Sequence, residues 1–310
     1  MIQFNKENRS ILVTILLYSQ SSNPKAQSIS CTYDTFNSCC GGCGYSFTSN
    51  EELRQAVEHF QTDAAAATTK YGILNCWDVS RITDVNHLFA EHDMNEPIDC
   101  WDVRKVNNIQ GLFAGTARFN QPLTSWNTSG VTKMVSLFYN AKSFNQPLSS
   151  WDVSSVNDMA WMFFNASSFN QPLDSWSTTR VTNMSLMFYE ATSFDQPIEN
   201  WDVGSVVDMQ KMFFGATSFN YSLSSWDIGN VINMEAMFNG ASSFNQSLCL
   251  WYEKISLDPF PAVIDMFSNS NCAEKSNPDF GTKLSFCDTC IIPVSSHIIL
   301  LTISNMIHPA

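Results

Sequence analysis

Residues 151–175 read WDVSSVNDMAWMFFNASSFNQPLDS, and variants of this stretch fill the centre of the chain. Tryptophan marks the period, because it recurs at steps of 25 residues after one first step of 24. The series is Trp77, Trp101, Trp126, Trp151, Trp176, Trp201, Trp226 and Trp251. Met-Phe or Leu-Phe pairs and Phe-Asn or Phe-Asp steps keep the same period. Seven complete copies occupy residues 77–250, and Met266-Phe267 is the remnant of an eighth.

Each unit is too short to bury its own apolar face, so the copies must stack into a solenoid. Within one unit, the spacing of Leu148, Trp151 and Val153 predicts a short strand, because alternate strand side chains share a face. The following apolar residues lie at steps of three, three, one and three, which predicts one short helix. This stripe consists of Val156, Met159, Met162, Phe163 and Ala166. A proline, such as Pro172, then ends the helix and turns the chain.

We therefore predict an α/β fold, a right-handed leucine-rich-repeat-like solenoid of seven to eight coils of 24–25 residues. Each coil would contain a short strand, a short helix and a proline turn. A helix over residues 48–68 would cap the N-terminal end, because Asn50 and its neighbours offer an N-cap before an apolar face. The predicted segments are a leader (1–30), a Cys-rich segment with the capping helix (31–76), the seven-repeat solenoid (77–250), a degenerate repeat with a Cys-rich C-terminal cap (251–290) and a tail (291–310).

The repeat is similar to that of the BspA-type leucine-rich-repeat surface proteins, in their 25-residue variant. The resemblance rests on Trp-Asp-Val, Met-Phe-(Tyr/Phe)-x-Ala and Ser-Phe-Asn-Gln-Pro-Leu. It implies an open leucine-rich-repeat-like solenoid, a secreted or cell-surface location, no catalytic activity and a role in adhesion. Ordinary leucine-rich repeats carry Asn just after the strand, where this chain has valine or isoleucine, such as Val156. The candidates for the missing backbone bonds are Asn120, Asn145, Asn170, Asn220 and Asn245.

The composition excludes several classes of protein. The 310 residues carry 16 Lys and Arg against 29 Asp and Glu, a net charge of −13, so a basic nucleic-acid binder is excluded. The 23 Phe and 9 Trp exclude wholesale disorder, and no apolar run is long enough for a helical multi-span membrane protein. The five histidines do not follow the repeat, and no nucleophile context or phosphate-binding loop occurs. We predict no enzyme, no cofactor and no metal.

The ten cysteines all lie before residue 101 or after residue 248, toward the two ends of the repeats, and their number indicates an oxidising compartment. Cys76 and Cys100 each precede a repeat tryptophan, so stacking would bring them side by side, as a disulfide or as two packed thiols. The motifs at 40–43 and 287–290 are both C-x-x-C, for which a zinc site, a redox pair and structural disulfides compete. Structural disulfides are favoured, because the two motifs lie at opposite ends of an elongated array.

The two termini carry weaker signals. Residues 1–30 place Lys6 and Arg9 before a short apolar run and a small-x-small site, which is typical of a secretory signal, with a gene-modelling artefact as the alternative. The tail, residues 291–310, is too short and mixed to predict a membrane span. If the protein is secreted, the Asn-x-Ser/Thr sequons at Asn8, Asn127, Asn165, Asn183, Asn220 and Asn245 are glycosylation acceptors.

The column that follows each tryptophan is the candidate ligand face. Its members are Asp78, Asp102, Asn127, Asp152, Ser177, Asp202 and Asp227, and its neighbours are Ser125, Ser150, Ser175, Asn200 and Ser225. Three interpretations compete: solvated or backbone-bonding residues that close each coil, an acidic ladder for a cationic or glycan partner, and a calcium site.

From these features we predict a binding or adhesion module that is extracellular or displayed on the cell surface. It would recognise an extracellular protein or glycan through the exposed strand face and would have no nucleic-acid partner and no membrane span. Weak self-association is a further possibility. The alternative is a structural wall or matrix component without a specific ligand.

Overall fold

The computed structural model describes residues 44–255, 260–273, 275–278 and 287. Within this part of the chain, helix α1 spans Asn50–Thr62 and helix α2 spans Ala64–Tyr71. Two 3₁₀-helices follow, at Leu74–Cys76 and Cys249–Glu253. The residues between them form turns, bends and isolated bridges. The repeats therefore fold without regular helices or strands.

The N-terminal end is covered by the two helices and the segment before them. Helix α1 begins after Ser49, whose hydroxyl accepts a hydrogen bond from the Glu52 N–H. Asp63 ends α1 and caps α2, so two helices stand where the sequence predicted one. The preceding segment pairs with the first coil, because the Phe47 N–H donates to the Asp78 carbonyl. These contacts close the first coil on the side that has no preceding repeat.

Successive coils lie side by side in parallel register. One isolated parallel bridge joins each coil to the next, always at equivalent positions of the repeat. The bridges are Asp84–Asn108, Asn108–Lys133, Lys133–Asp158, Asp158–Asn183, Asn183–Asp208, Asp208–Asn233 and Asn233–Ala262, with Ser46–Asp78 before them. The last partner, Ala262, lies in the remnant eighth repeat, so that remnant stacks on the seventh coil.

The predicted α/β class, with a strand and a helix in every coil, is wrong. From Asp84 to Asn233 the bridged residues lie seven positions after the tryptophan of their coil rather than around it, and within the described residues the bridges do not extend into a sheet. The predicted helix is replaced by two alternating sets of hydrogen bonds. The N–H groups of Met159 and Phe163 donate to carbonyls of the next coil, at Asn183 and Met187, while the Met162 N–H donates three residues back.

Backbone conformation gives the physical reason for this difference. Trp161 and Asn165 have φ angles of 62° and 51°, in the left-handed region. An α-helix cannot contain such residues, because its φ stays near −60°. The equivalent positions repeat the conformation in other coils, where glycine sometimes fills them, as at Gly115 and Gly215. The apolar spacing of the stripe therefore reflects a series of tight turns that bury the same side chains.

The core is a continuous stack of aromatic rings. Each repeat tryptophan is at most 3% exposed, which places these rings inside the array as expected from their period. The indoles of three neighbouring pairs of coils are stacked, for example Trp176 and Trp201 with centroids 6.2 Å apart. Two phenylalanine columns run beside them, and Phe163 and Phe169 of one coil lie 4.1 Å apart. A single hydrophobic core thus runs through all the coils.

Buried polar groups bond between coils. The Nε1–H of Trp176 donates to the carbonyl of Leu148, at 3.0 Å, and the same bond recurs at each later tryptophan. The Asn145 N–H donates to Oδ1 of Asn120 at 2.9 Å, and the next coils repeat this bond. The expectation that the Asn column bonds to the backbone is confirmed. The Asn ladder pairs backbone N–H groups that no sheet satisfies here, and the indole bonds pair the buried Nε1–H groups of the tryptophans.

The C-terminal end is pinned covalently. Cys272 and Cys287 form a disulfide with Cα atoms 4.8 Å apart, which confirms disulfide bonding in this cap. Cys76, Cys100 and Cys249 are also disulfide-bonded, and the pairing of the first two with each other stays a prediction. The predicted leader (1–30), the first C-x-x-C motif (40–43) and the tail (291–310) lie outside the described residues.

Candidate functional site

The predicted ligand column closes a turn in each coil. The Oδ1 atom of Asp152 accepts a hydrogen bond from the Ser154 N–H at 2.9 Å, and Asp202 accepts one from Gly204 at 3.0 Å. The same bond is made by Asp78, Asp102, Asn127 and Asp227. Ser177 instead shares a hydroxyl hydrogen bond with Thr179. Such side-chain-to-backbone bonds are a local turn motif, so the column has a structural role whether or not it meets a ligand.

Local hydrogen-bond donors lower the pKa of three carboxylates of this column, Asp78, Asp102 and Asp152. Hydrogen bonds from the Ser154 hydroxyl and N–H lower the pKa of Asp152. The Ser80 hydroxyl, followed by that of Ser46, lowers the pKa of Asp78. The Arg104 side chain lowers the pKa of Asp102. Among the described residues, no group of three or more His, Cys, Asp and Glu side chains is arranged to hold a metal ion.

The neighbouring serines also bond between coils. The hydroxyls of Ser150 and Ser175 donate to the carbonyls of Thr124 and Ser149. The Ser225 hydroxyl does the same to the Glu199 carbonyl. The remaining members differ: Ser125 donates to the Asp99 carboxylate, and Asn200 is exposed. Most polar atoms of the predicted face are therefore already used by the fold.

A second surface, which the sequence reasoning missed, carries partly exposed aromatic rings. We call it the aromatic ridge, and it consists of Tyr139, Phe164, Tyr189, Phe214 and Trp161. The first four belong to consecutive coils and stack in order, with centroids 4.7, 4.4 and 4.7 Å apart. Trp161 packs beside Phe164 at 5.1 Å and remains 36% exposed. The ridge thus presents a narrow apolar strip along the outside of the array.

The fold does not require aromatic residues at these positions. The equivalent residues of other coils are small or polar: Ala90, Ala114, Asn239 and Ser268. Among the described residues, no hydrogen-bond partner is found for the Trp161 Nε1–H or for the Tyr139 and Tyr189 hydroxyls. The sequence signal was present, since four consecutive units read Met/Leu-Phe followed by Tyr or Phe. These residues belong to the Met-Phe-(Tyr/Phe)-x-Ala motif, but the motif alone does not show that the rings lie at the surface.

Polar groups border the ridge on one side. The Glu190 side chain extends beside Gly215, the residue that follows Phe214 in the chain. Burial, with a contribution from the Glu190 charge, raises the pKa of Tyr189. The Asn165 Nδ2 donates to Asn140 Oδ1 at 2.8 Å in the same column. The ridge is therefore apolar along its centre and polar along this edge.

In the second C-x-x-C motif, the first cysteine is already used in a disulfide. Cys287 is bonded to Cys272, so it cannot act as a zinc ligand or pair with Cys290 in a redox motif. Of the helices in the described part of the chain, none has the length and apolar character to span a bilayer. What remains for binding is the exposed surface of the repeat array.

Comparison with known proteins gives one family. No curated protein and no solved structure matches the chain. The profile of a family described as Mycoplasma protein of unknown function, DUF285, matches two overlapping regions in tandem, residues 52–176 and 158–280. These regions together cover most of the chain and coincide with the stacked repeats. The chain therefore belongs to the DUF285 family of repeat proteins.

Proposed function

We propose that this protein is a non-enzymatic binding and adhesion module, secreted or displayed on the cell surface. This is the role of the BspA-type surface proteins that its repeat resembles. The disulfide between Cys272 and Cys287 supports an oxidising location. The partner would be an extracellular protein or glycan.

The observation that carries the proposal is the aromatic ridge. Partly exposed Tyr and Trp rings are typical of the centres of recognition surfaces, because they combine apolar area with a polar group. Here they occupy positions at which other coils carry Ala, Asn or Ser, so packing does not explain them. The ridge supports binding better than the Asp column, because the Oδ1 atoms of that column bond to the backbone of their own turns.

The test is capture of extracellular proteins and glycans by the full-length chain. The double variant Phe164→Ala/Tyr189→Asn introduces residues that other coils carry at the same position, so it should fold. We expect it to weaken binding by about tenfold or more. The matched control is Tyr221→Gln, since Tyr221 is exposed on another column where most coils have glutamine.

A second variant separates the two candidate faces. Asp152→Asn/Asp202→Asn removes two charges but keeps the Oδ1 acceptors of the turns, as Asn127 does naturally. If binding survives this change but is lost in Phe164→Ala/Tyr189→Asn, the ligand binds at the aromatic ridge. Binding that shows the opposite pattern assigns recognition to the Asp column. If no ligand is captured and scattering shows end-to-end association, the structural matrix role replaces the proposal.

A further inference from the structure

The pitch of the aromatic ridge restricts what can lie along it. Its rings follow one another every 4.4–4.7 Å, because each comes from one coil of the stack. An extended peptide presents side chains on one face every ~6.6 Å, and a polyproline helix repeats every ~9.3 Å. An α-helix advances ~5.4 Å per turn, so it would drift by about 2 Å over the four rings. Another stack of the same coils matches the pitch without distortion.

The orientation of the rings points to the same partner. The interplanar angles between neighbours are 14°, 5° and 4°, so the inner ring faces cover each other. What the inner rings offer to solvent is mainly their edges. A sugar ring prefers an open aromatic face, whereas edges of one ladder can pack against edges of another.

We infer that the aromatic ridge binds the aromatic ridge of a second copy of this chain, with the two arrays antiparallel. This inference rests on the proposed adhesion function and names its partner, so that adhesion is homophilic. The two-fold axis would lie in the contact plane, perpendicular to the array and between the coils of Phe164 and Tyr189. Each column of rings would then pack against the same column of the second copy, running in the opposite direction. Phe164 then faces Tyr189 of the second copy, and Tyr139 faces Phe214.

The bordering residues favour the antiparallel register. Under the same symmetry, Asn165 faces Glu190 of the second copy, so an amide donor meets a carboxylate, and Trp161 faces Leu186. A two-fold axis along the array would instead bring Leu186 against Glu190 and bury a charge beside an apolar group. The antiparallel arrangement leaves no like-charge pair among these residues.

Self-association should strengthen with salt. Each copy has a net charge of −13, so long-range repulsion opposes the contact and salt screens it. A cationic ligand on an acidic surface would show the reverse dependence. The salt response therefore distinguishes contact through the ridge from charge-driven binding.

The experiment is sedimentation of the full-length chain from low micromolar to sub-millimolar concentrations, at low and high salt. We expect a reversible dimer that tightens with salt and is weakened about tenfold or more by Phe164→Ala/Tyr189→Asn. Tyr221→Gln should dimerise like the wild type. A chain that stays monomeric throughout, or a ridge variant that dimerises normally, overturns the inference.

A charge substitution tests the register. Asn165→Lys should create two Lys–Glu190 pairs across the two-fold axis and tighten the dimer about threefold or more. The substitution is compatible with the backbone, because Glu190 occupies the equivalent position at nearly the same φ, 52° against 51°. Adding Glu190→Lys should abolish the gain. No tightening with Asn165→Lys would overturn the antiparallel arrangement.

Failure of this inference is distinguishable from failure of the proposed function. A monomeric protein that still captures an extracellular ligand through the ridge keeps the adhesion role and rejects the homophilic partner. A ridge-dependent dimer that captures no other molecule supports both. A monomer that captures no ligand rejects both.

Discussion

The bond between each indole and the preceding coil can be tested at one buried tryptophan. Trp201 is 3% exposed, and its Nε1–H donates to the Leu173 carbonyl at 2.9 Å. Trp201→Phe removes this donor and part of the ring. We expect it to lower the free energy of unfolding, because both a hydrogen bond and core packing are lost.

The magnitude follows from the surroundings. The Leu173 carbonyl also accepts the Trp176 N–H, so it is not left unpaired and the lost bond costs about 1 kcal/mol. Replacing the larger ring by the smaller one leaves a cavity that costs about 1–2 kcal/mol more. The total is about 2–3 kcal/mol.

The chain offers a matched control in Trp161→Phe. Trp161 is 36% exposed, and its Nε1–H has no partner among the described residues, so this change should cost less than about 0.5 kcal/mol. Both variants can be compared by urea unfolding followed by far-ultraviolet circular dichroism, which does not depend on indole fluorescence. The midpoints should differ at an unchanged slope. Equal stabilities of the two variants would refute the role assigned to the buried indoles.

Three further predictions concern the ends and the turns. Lys254→Met should lower the free energy of unfolding by about 1–2 kcal/mol in urea titrations, because the Lys254 ammonium donates to three backbone carbonyls. The control is Lys275→Met, at an exposed position, which should have little effect. Replacing Cys272 and Cys287 by serine removes a disulfide that closes a loop with a sequence separation of 15, and should lower the free energy of unfolding by about 3 kcal/mol. Limited proteolysis should then cleave this cap faster than in the wild type. Unchanged cleavage would show that the disulfide does not stabilise the cap. Hydrogen bonds lower the pKa of Asp152 in the folded state. Its ionised form therefore stabilises the fold at pH values above its pKa in the unfolded chain, about 3.9. This contribution is lost as the pH falls through the pKa of the folded state. Asp152→Asn should therefore be near wild type at neutral pH but lose less stability below about pH 4, and urea midpoints across that range that parallel the wild type would disprove this.

The sequence predicts the period, the buried rings and the inter-coil Asn bonds, because these features recur in every unit. It does not predict the local backbone. The stripe around Met162 has helical spacing, yet the left-handed residues Trp161 and Asn165 break any helix. Glycines at positions 111, 115, 215 and 240 fall in these two columns, and they were the sequence signal for a left-handed backbone there. Elsewhere ordinary residues adopt the same φ, since bonds to both neighbouring coils hold them there.

The candidate site divides in a similar way. The Asp column was found because it recurs, and recurrence reflects the turn that each Asp closes. The rings of the aromatic ridge belong to the Met-Phe-(Tyr/Phe)-x-Ala motif, but their exposure was not predicted, and their column varies from Ala114 through Phe164 to Asn239. In a repeat protein, constant columns report the fold, whereas a run of unusual residues in a variable column indicates a local use of the surface.

Every coil makes equivalent hydrogen bonds to its neighbours, so the length of the array can change only by whole coils. Deleting one whole unit, such as residues 152–176, would bring two coils together that carry donors and acceptors at equivalent positions. The hydrogen bonds between neighbouring coils could therefore re-form. Removing one residue more or fewer would shift every later donor away from its acceptor. Such a molecule can shorten or lengthen by whole coils, and therefore can change its reach without redesigning its interior.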